Sequence, residues 1–247
     1  MGKSISIVML ALLSVCADVN GQPGRPISPP SYSQQAIAIW DNIWVNGEPT
    51  GTVQIPSPDG DKKVTATYDQ KSDRLWLTIG VGPAQFRISV AGGVGSELAW
   101  SPDSRAFFLT YSEAGLDGDY HTCIIYVSSK GIRRLSVDRI TRRAFGNPVK
   151  CLEPSSIVNV VGVAWLEDSK RILVAAQIVP LNICDSFNTF KAFEIYLPER
   201  IVVKPYEQLT AKKKFWNYLG TFLREAPDNC ITDPKSCEMP ENHRRVG

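Results

Sequence analysis

Three residues with side chains that can transfer protons or bind metal ions lie within five positions of the sequence: Asp117, Asp119 and His121. A histidine beside carboxylates can act as a general base, so this segment is the candidate site for a cell-envelope hydrolase or a glycan-active enzyme. Asp117 and Asp119 could also contribute to a calcium loop, although the other ligands of a standard calcium loop are missing. The sequence therefore indicates the three residues as binding or catalytic candidates on a loop.

Motifs of hydrolytic enzymes are absent from the sequence. There is no Gly-x-Ser-x-Gly elbow of an α/β-hydrolase and no His-Glu-x-x-His zinc motif. The glycine-rich run at residues 92–95 leads into a turn, whereas a phosphate site needs a helix N-terminus there. We therefore assign no catalytic residue and expect no cofactor, and our first hypothesis is a non-catalytic binding protein.

The cysteines bear on metal binding and on the cellular compartment. No two cysteines stand at two-residue spacing and the histidines are His121 and His243, so we expect no metal site. Cys123 lies in a strand-like run and is predicted to be a small buried hydrophobe. Four others are disulfide candidates: Cys151, Cys184, Cys230 and Cys237. We expect the first to pair with the second and the third with the fourth, but four cysteines allow three connectivities, which stay open.

The N-terminus has the features of a secretory signal peptide. Lys3 precedes an apolar stretch at residues 5–15, which is too short for the roughly twenty residues that span a bilayer. We place the cleavage after Ala17, which predicts a secreted or periplasmic protein. Two alternatives are lipid modification of Cys16, which would tether the protein to a membrane, and a buried N-terminal strand.

The composition of the chain indicates a linker and limits the classes of partner. Residues 18–35 are rich in proline, glycine and serine and are predicted to be a flexible linker. The 27 basic and 25 acidic residues nearly cancel, which gives no electrostatic case for nucleic acid. The partner that we expect is another protein of the cell envelope.

A repeated phrase organises the middle of the chain. LAWSPDSR at residues 98–105 returns as VAWLEDSK at residues 163–170, and SPDG at residues 57–60 is a weaker copy. In such turns an aspartate side chain can accept hydrogen bonds from backbone N–H groups two residues on. We therefore interpret Asp59, Asp103 and Asp168 as turn-forming residues, each followed by strand-like runs rich in β-branched and aromatic residues.

The phrase at residues 100–105, followed by a strand, resembles the blade motif of TolB-like and WD-type β-propellers. The resemblance covers about residues 50–206 and is weakest at residues 57–60, where Pro56 replaces the tryptophan. It implies four-stranded blades and a role in protein contacts or scaffolding. Similar blades also form the substrate-gating domain of prolyl-oligopeptidase-like enzymes, so the resemblance leaves an enzymatic role open.

The spacing of the repeats departs from that family. The acidic turns fall 44 and then 65 residues apart, and the excess is predicted to be a loop near residues 138–158. We count three units, whereas closed propellers usually have four to eight blades. Residues 37–40 and 43–45 could add further strands, and the array could be small, open or completed by assembly.

Apolar residues at helical spacing mark the segment near residues 207–225. This predicts an amphipathic helix that covers a sheet edge or face, with contact to a membrane surface as the alternative. The sequence thus predicts an all-β, propeller-like array of antiparallel sheets over residues 36–206, followed by a C-terminal helix and tail at 207–247. The predicted function is an exported binding or interaction module.

Overall fold

The computed structural model describes residues 31–43, 48, 50–93, 95–113, 119–146, 158–178 and 189–227. These residues are mostly antiparallel β-structure. In chain order the strands are β1 (Ile37–Ala38), β2 (Thr52–Pro56), β3 (Lys62–Asp69), β4 (Arg74–Val81), β5 (Ala84–Ala91), β6 (Glu97–Trp100), β7 (Ala106–Ser112), β8 (Tyr120–Ser128), β9 (Gly131–Ser136), β10 (Val158–Trp165), β11 (Arg171–Ile178), β12 (Phe190–Tyr196) and β13 (Ile201–Glu207). The helices are α1 (Ile39–Ile43), α2 (Asp138–Phe145), α3 (Gln208–Phe215) and α4 (Thr221–Arg224).

The described strands form three sheets. The first sheet has the order β2-β3-β4-β5, the second β1-β6-β7-β8-β9 and the third β10-β11-β12-β13. Neighbouring strands within each sheet run antiparallel. In the second and third sheets the repeated tryptophan ends β6 and β10, and three strands that pair in chain order follow it each time, so the sequence repeat and the structural unit coincide.

The sheets are stacked face to face, with the second sheet in the middle. Phe107 of β7 packs in one core with Leu77 of the first sheet, and its neighbour Phe108 packs in another core with Phe193 of the third. Adjacent residues of a strand point to opposite faces of the sheet. Strand β7 is therefore buried along its whole length, as its uninterrupted run of apolar and small residues requires.

The acidic turns have the local structure that the sequence predicts. In the second unit the Ser101 hydroxyl donates to Asp103 Oδ1 at 2.7 Å, and the same oxygen accepts the backbone N–H of Arg105 at 3.1 Å. In the third unit Asp168 Oδ1 accepts the N–H of Lys170 at 3.0 Å. These carboxylates hold the entrances to β7 and β11, so their role in the fold is structural.

Two side chains of the repeated phrase join each sheet to the sheet before it. The Trp100 indole N–H donates to the Ile55 carbonyl at 3.2 Å, and the Trp165 indole N–H donates to the Ala99 carbonyl at 2.9 Å. The hydroxyl of Ser104 accepts the N–H of Asp59 at 3.0 Å. In the same way, Ser169 accepts the N–H of Asp103 at 3.2 Å.

The first unit lacks both of these backward-reaching residues. Pro56 stands in place of the tryptophan and Gly60 in place of the serine. No described sheet precedes it, and the outward-facing positions of this sheet are mostly polar; the large apolar side chain among them is Trp76, whose ring centroid lies 4.0 Å from the Arg87 guanidinium. A solvated face of this kind is typical of an antiparallel sheet covered on one side. The departures from the repeat therefore mark one end of the stack.

At the other end of the stack, helices cover the third sheet. Phe215 of α3 and Leu223 of α4 are buried with Leu173 and Ala175 of β11. The sequence predicts one amphipathic helix here, and the structure instead has two short ones, with Trp216 between them at 50% exposure. The predicted covering of a sheet face is present, but the continuous helix is not.

A segment near the N-terminus ties the stack together. Residues 31–36, here called the strap, run beside β6 and β10, and Tyr32 and Ser33 are each 2% exposed. The backbone N–H of Tyr32 donates to Glu97 Oε1 at 2.7 Å and that of Ser33 to Oε2 at 3.1 Å. Burial raises the pKa of Glu97 to about 8, and the two amide donors offset this only in part.

The strap also joins the helices to the sheets. Its Ser33 hydroxyl donates to the Val163 carbonyl at 2.6 Å, and its Tyr32 carbonyl accepts the N–H of Gly220 at 2.9 Å. A Cβ at position 220 would lie 2.1 Å from the Ser31 carbonyl oxygen, so this approach requires glycine. The close contact falls just before α4 and accompanies the break between the two helices.

The structure differs from the sequence-based expectations at three places. Residues 31–35, assigned to the linker, are packed against the sheets, while residues 18–30 lie outside the described residues. Of residues 37–40 and 43–45, which could add strands, Ile37–Ala38 is a short strand, Ile39–Ile43 is a helix, and residues 44–45 lie outside the described residues. The predicted loop near 138–158 begins with helix α2.

We predict that Trp165→Phe lowers the free energy of unfolding by about 2 kcal/mol, because the buried Ala99 carbonyl loses its donor. Urea denaturation measures the change. Trp216→Phe is the matched control, since its indole is half exposed, and we expect a change below about 0.5 kcal/mol. Equal effects of the two substitutions would contradict the proposed role of the indole.

Candidate functional site

The sequence candidates Asp119 and His121 come together with two residues of helix α2. His121 lies near the start of β8, opposite Tyr111 of β7, and Asp138 begins α2 directly after β9. Asp117 lies outside the described residues. The cluster therefore forms where the loop ends of β7 and β8 meet the first turns of α2.

Both ring nitrogens of His121 face carboxylates. Nδ1 lies 2.9 Å from Asp138 Oδ2, and Nε2 lies 3.5 Å from Asp119 Oδ2. The second oxygen of Asp138 accepts the backbone N–H of Thr122 at 2.9 Å, and Asp119 Oδ1 accepts from the Arg142 guanidinium at 2.8 Å. The histidine is thus held between two acids that are themselves fixed by other donors.

This environment favours the charged form of the imidazole. The hydrogen bond to Asp138 raises the pKa of His121 above its ordinary value, and the charge of Asp119 adds to this, while burial opposes it. A general base needs a free ring nitrogen, and here each nitrogen already faces a carboxylate. In this arrangement the cluster acts as an ion network that fastens α2 to β8.

A second group of side chains adjoins the histidine. The Arg134 guanidinium donates to the Tyr111 hydroxyl, and the Tyr111 ring lies 5.6 Å from the His121 ring between centroids. Cys123 is buried with a free thiol, and burial raises its pKa to about 11. At neutral pH this thiol is not a nucleophile, which agrees with the predicted small buried hydrophobe.

The disulfide candidates Cys151, Cys184, Cys230 and Cys237 all lie outside the described residues, as does Cys16. Within the described ranges no group of three or more His, Cys, Asp or Glu side chains has the arrangement of a metal site. The same part of the chain contains no helix with the length and apolar character that crossing a bilayer requires.

Sequence reasoning missed Asp138 and Arg142. The segment that carries them was interpreted as part of an irregular insertion, so it offered no reason to place an acid beside His121. An available signal was the helical pattern of residues 138–145, in which Thr141 and Phe145 are the buried positions and the arginines are exposed or half-buried.

An open cavity of about 600 Å³ lies at the opposite, turn end of the second sheet. It is here called the Tyr126 pocket, and its lining includes Arg105, Tyr126, Ser128, Lys130, Ile132 and Arg133. The pocket joins the acidic turn before β7 to the tight turn between β8 and β9. No sequence pattern indicates this pocket, because its residues come from separate turns.

Comparisons with known proteins identify no family for the chain. No protein-family model matches it, and no curated protein matches it. Among solved structures it is similar to an acylaminoacyl peptidase from Pyrococcus horikoshii, with 11% identity and a TM-score of 0.34 over 59% of this chain. The match covers 23% of that peptidase chain. A similarity of this size carries no argument about fold or activity.

We predict that His121→Gln lowers the free energy of unfolding by about 1–2 kcal/mol at pH 6, because the charge-assisted bond to Asp138 is lost. Because the pKa of His121 is higher in the folded protein than in the unfolded chain, protonation of this ring stabilises the fold. The stabilisation is complete at pH values below the pKa of the unfolded chain, and it is lost as the pH rises through the pKa of the folded protein. Urea denaturation at pH 6 and pH 9 should therefore show a smaller effect at pH 9.

The titration of His121 can be followed directly by NMR, with His243→Gln used for assignment because the chain has two histidines. We expect a pKa above that of an exposed histidine, and a lower value in Asp138→Asn. A destabilisation of the same size at both pH values would show that the ion network is not responsible.

Proposed function

We propose that this protein is an exported, non-catalytic binding module made of propeller-like β-sheet units that form an open array. The TolB-like and WD-type resemblance at residues 100–105 and 165–170 supports the unit type. The absence of the backward-reaching tryptophan and serine from the first unit supports an open array, because a closed ring would need them there. The partner that we propose is another protein of the cell envelope.

The observation that carries the binding role is the Tyr126 pocket. It is concave, it lies at one end of a rigid sheet, and its rim is formed by exposed polar side chains. Binding residues are often found on turns and loops held by a rigid scaffold. The described candidates for chemistry, in contrast, are engaged: His121 faces two carboxylates, and the Cys123 thiol is buried.

The alternative is a cell-envelope hydrolase or glycan-active enzyme that uses Asp117, Asp119 and His121. The proximity of Asp119 and His121 favours it, since a carboxylate near a histidine can support proton transfer. This function requires His121 to lose and regain a proton during turnover. The two neighbouring carboxylates oppose the loss, because they stabilise the protonated ring.

If the protein is exported through its signal peptide, cleavage of that peptide leaves a defined N-terminus on the mature protein. N-terminal sequencing of the protein recovered outside the cytoplasm should give Asp18 as the first residue. A chain that starts at Cys16 with an attached lipid, and that partitions with membranes, would instead show a tethered envelope component. A protein that keeps Met1 and stays inside the cell would contradict export.

The binding role can be tested by capture from the native envelope with a blocked pocket. Ser128→Tyr places a bulky side chain on the pocket rim without changing the charge, and Ser129→Tyr makes the same change at an exposed neighbour that does not line the pocket. We expect the wild-type protein and Ser129→Tyr to retain one defined partner, and Ser128→Tyr to lose it. Mass spectrometry identifies the partner, and binding is then measured with purified components.

Two results would overturn this proposal. The first is a clean monomer that retains no specific partner, or one that retains the same partner in Ser128→Tyr. The second is chemical change of the retained molecule that stops in His121→Gln while the fold stays intact, which would establish the enzymatic alternative.

A further inference from the structure

Three exposed cations from separate segments surround the Tyr126 pocket. Arg105 ends the acidic turn before β7, Lys130 lies in the turn between β8 and β9, and Arg133 lies on β9. None of the described residues that line the pocket is acidic. In the described part of the chain, none of these three side chains forms an ion pair.

The ring of Tyr126 orients the Arg133 guanidinium. The two residues are directly paired across β8 and β9, and the centre of the guanidinium lies 4.2 Å from the ring centroid. Arg133 also forms a side-chain hydrogen bond with Tyr126, and because a guanidinium carries five N–H donors, others remain for the fork geometry that matches a carboxylate. The ring thus prepares Arg133 to bind an anion.

A fourth cation reaches this place from the third sheet. The charges of Arg133 and Arg200 both lower the pKa of Tyr126, whose burial has the larger, opposite effect and leaves the pKa raised overall. Arg200 lies in the turn between β12 and β13 and forms no ion pair with any other described residue. Arg200 therefore adds one positive charge near Tyr126, from a turn that also contains the exposed Glu199.

The nearest acid of the turn that contains Arg105 is already engaged. Asp103 uses its Oδ1 to accept from the Ser101 hydroxyl and the Arg105 backbone N–H. Its carboxylate therefore holds the turn that presents Arg105. The excess of positive charge in the pocket lining is local, since the whole chain carries a formal net charge of only +2.

We propose that the Tyr126 pocket binds an acidic segment of a partner protein, with Arg133 holding one carboxylate and Arg105, Lys130 and Arg200 holding further ones. This rests on the binding role proposed above and names the chemistry of the partner. Three of these cations line an open cavity and Arg200 lies beyond its lining, a spread that suits several carboxylates spaced along a peptide better than a single phosphate.

The test uses the full mature chain and a fluorescein-labelled peptide of six glutamates, with a six-glutamine peptide as the neutral control. Fluorescence anisotropy measures the dissociation constant. We expect the glutamate peptide to bind and the glutamine peptide not to bind. We also expect affinity to fall as ionic strength rises from about 50 to 300 mM, as screening of exposed charges requires.

Matched variants locate the site. We expect Arg133→Gln to weaken binding about tenfold or more, equivalent to about 1.4 kcal/mol, and Arg133→Lys to have an intermediate effect because it keeps the charge without the planar fork. Lys213→Gln removes the same charge from α3, which covers the outer face of the third sheet away from the pocket, and should stay within about twofold. Circular dichroism confirms that each variant is folded.

The proposal fails if Lys213→Gln weakens binding as much as Arg133→Gln, because the attraction would then be diffuse. It also fails if the two peptides bind equally, or if inorganic pyrophosphate binds the pocket with Arg133 dependence while the glutamate peptide does not. Envelope capture separates the two proposals: loss in Ser128→Tyr with full retention in Arg133→Gln keeps the binding role and rejects the acidic segment. Retention in both variants rejects both.

Discussion

The fold depends on a pair of hydrogen bonds that joins each sheet to the sheet before it. A buried indole N–H donates backward to a strand carbonyl, and a serine hydroxyl accepts the N–H of the preceding acidic turn. A buried carbonyl without a donor costs free energy. The tryptophan therefore fixes both the distance between two neighbouring sheets and their position relative to each other. Where this pair is absent, at Pro56 and Gly60, the stack ends in a polar sheet face.

The same constraint explains how the other end of the stack is formed. The third sheet has no following unit among the described residues, and α3 and α4 bury its outer face instead. The strap holds these helices to the second and third sheets through Glu97 and Val163. The strap and the C-terminal helices thus pack together and cover this end of the stack, although they are far apart in sequence.

This architecture separates two polar regions at opposite ends of the second sheet. At the loop end, opposite charges meet at His121, Asp138 and Asp119, and their mutual contacts fasten α2. At the turn end, Arg105, Lys130 and Arg133 remain unpaired within the described residues, around an aromatic ring. Charges that neutralise one another stabilise a fold, whereas unpaired charges around a cavity are available to a partner. We therefore propose the turn end, and not the loop end, as the binding surface.

The repeated phrase, the turn-forming aspartates and the antiparallel strands follow from the sequence alone, because turn chemistry and strand alternation depend on residues a few positions apart. The sequence also indicated Asp119 and His121, but not their engagement by Asp138 and Arg142, because helix α2 brings these residues back against β8. It missed the strap, since burial of Tyr32 and Ser33 requires partners at Glu97 and Gly220. The Tyr126 pocket, likewise, exists only once separate turns are aligned by the stacked sheets. Local patterns determined the units, and long-range packing decided which side chains are engaged and which remain free to bind.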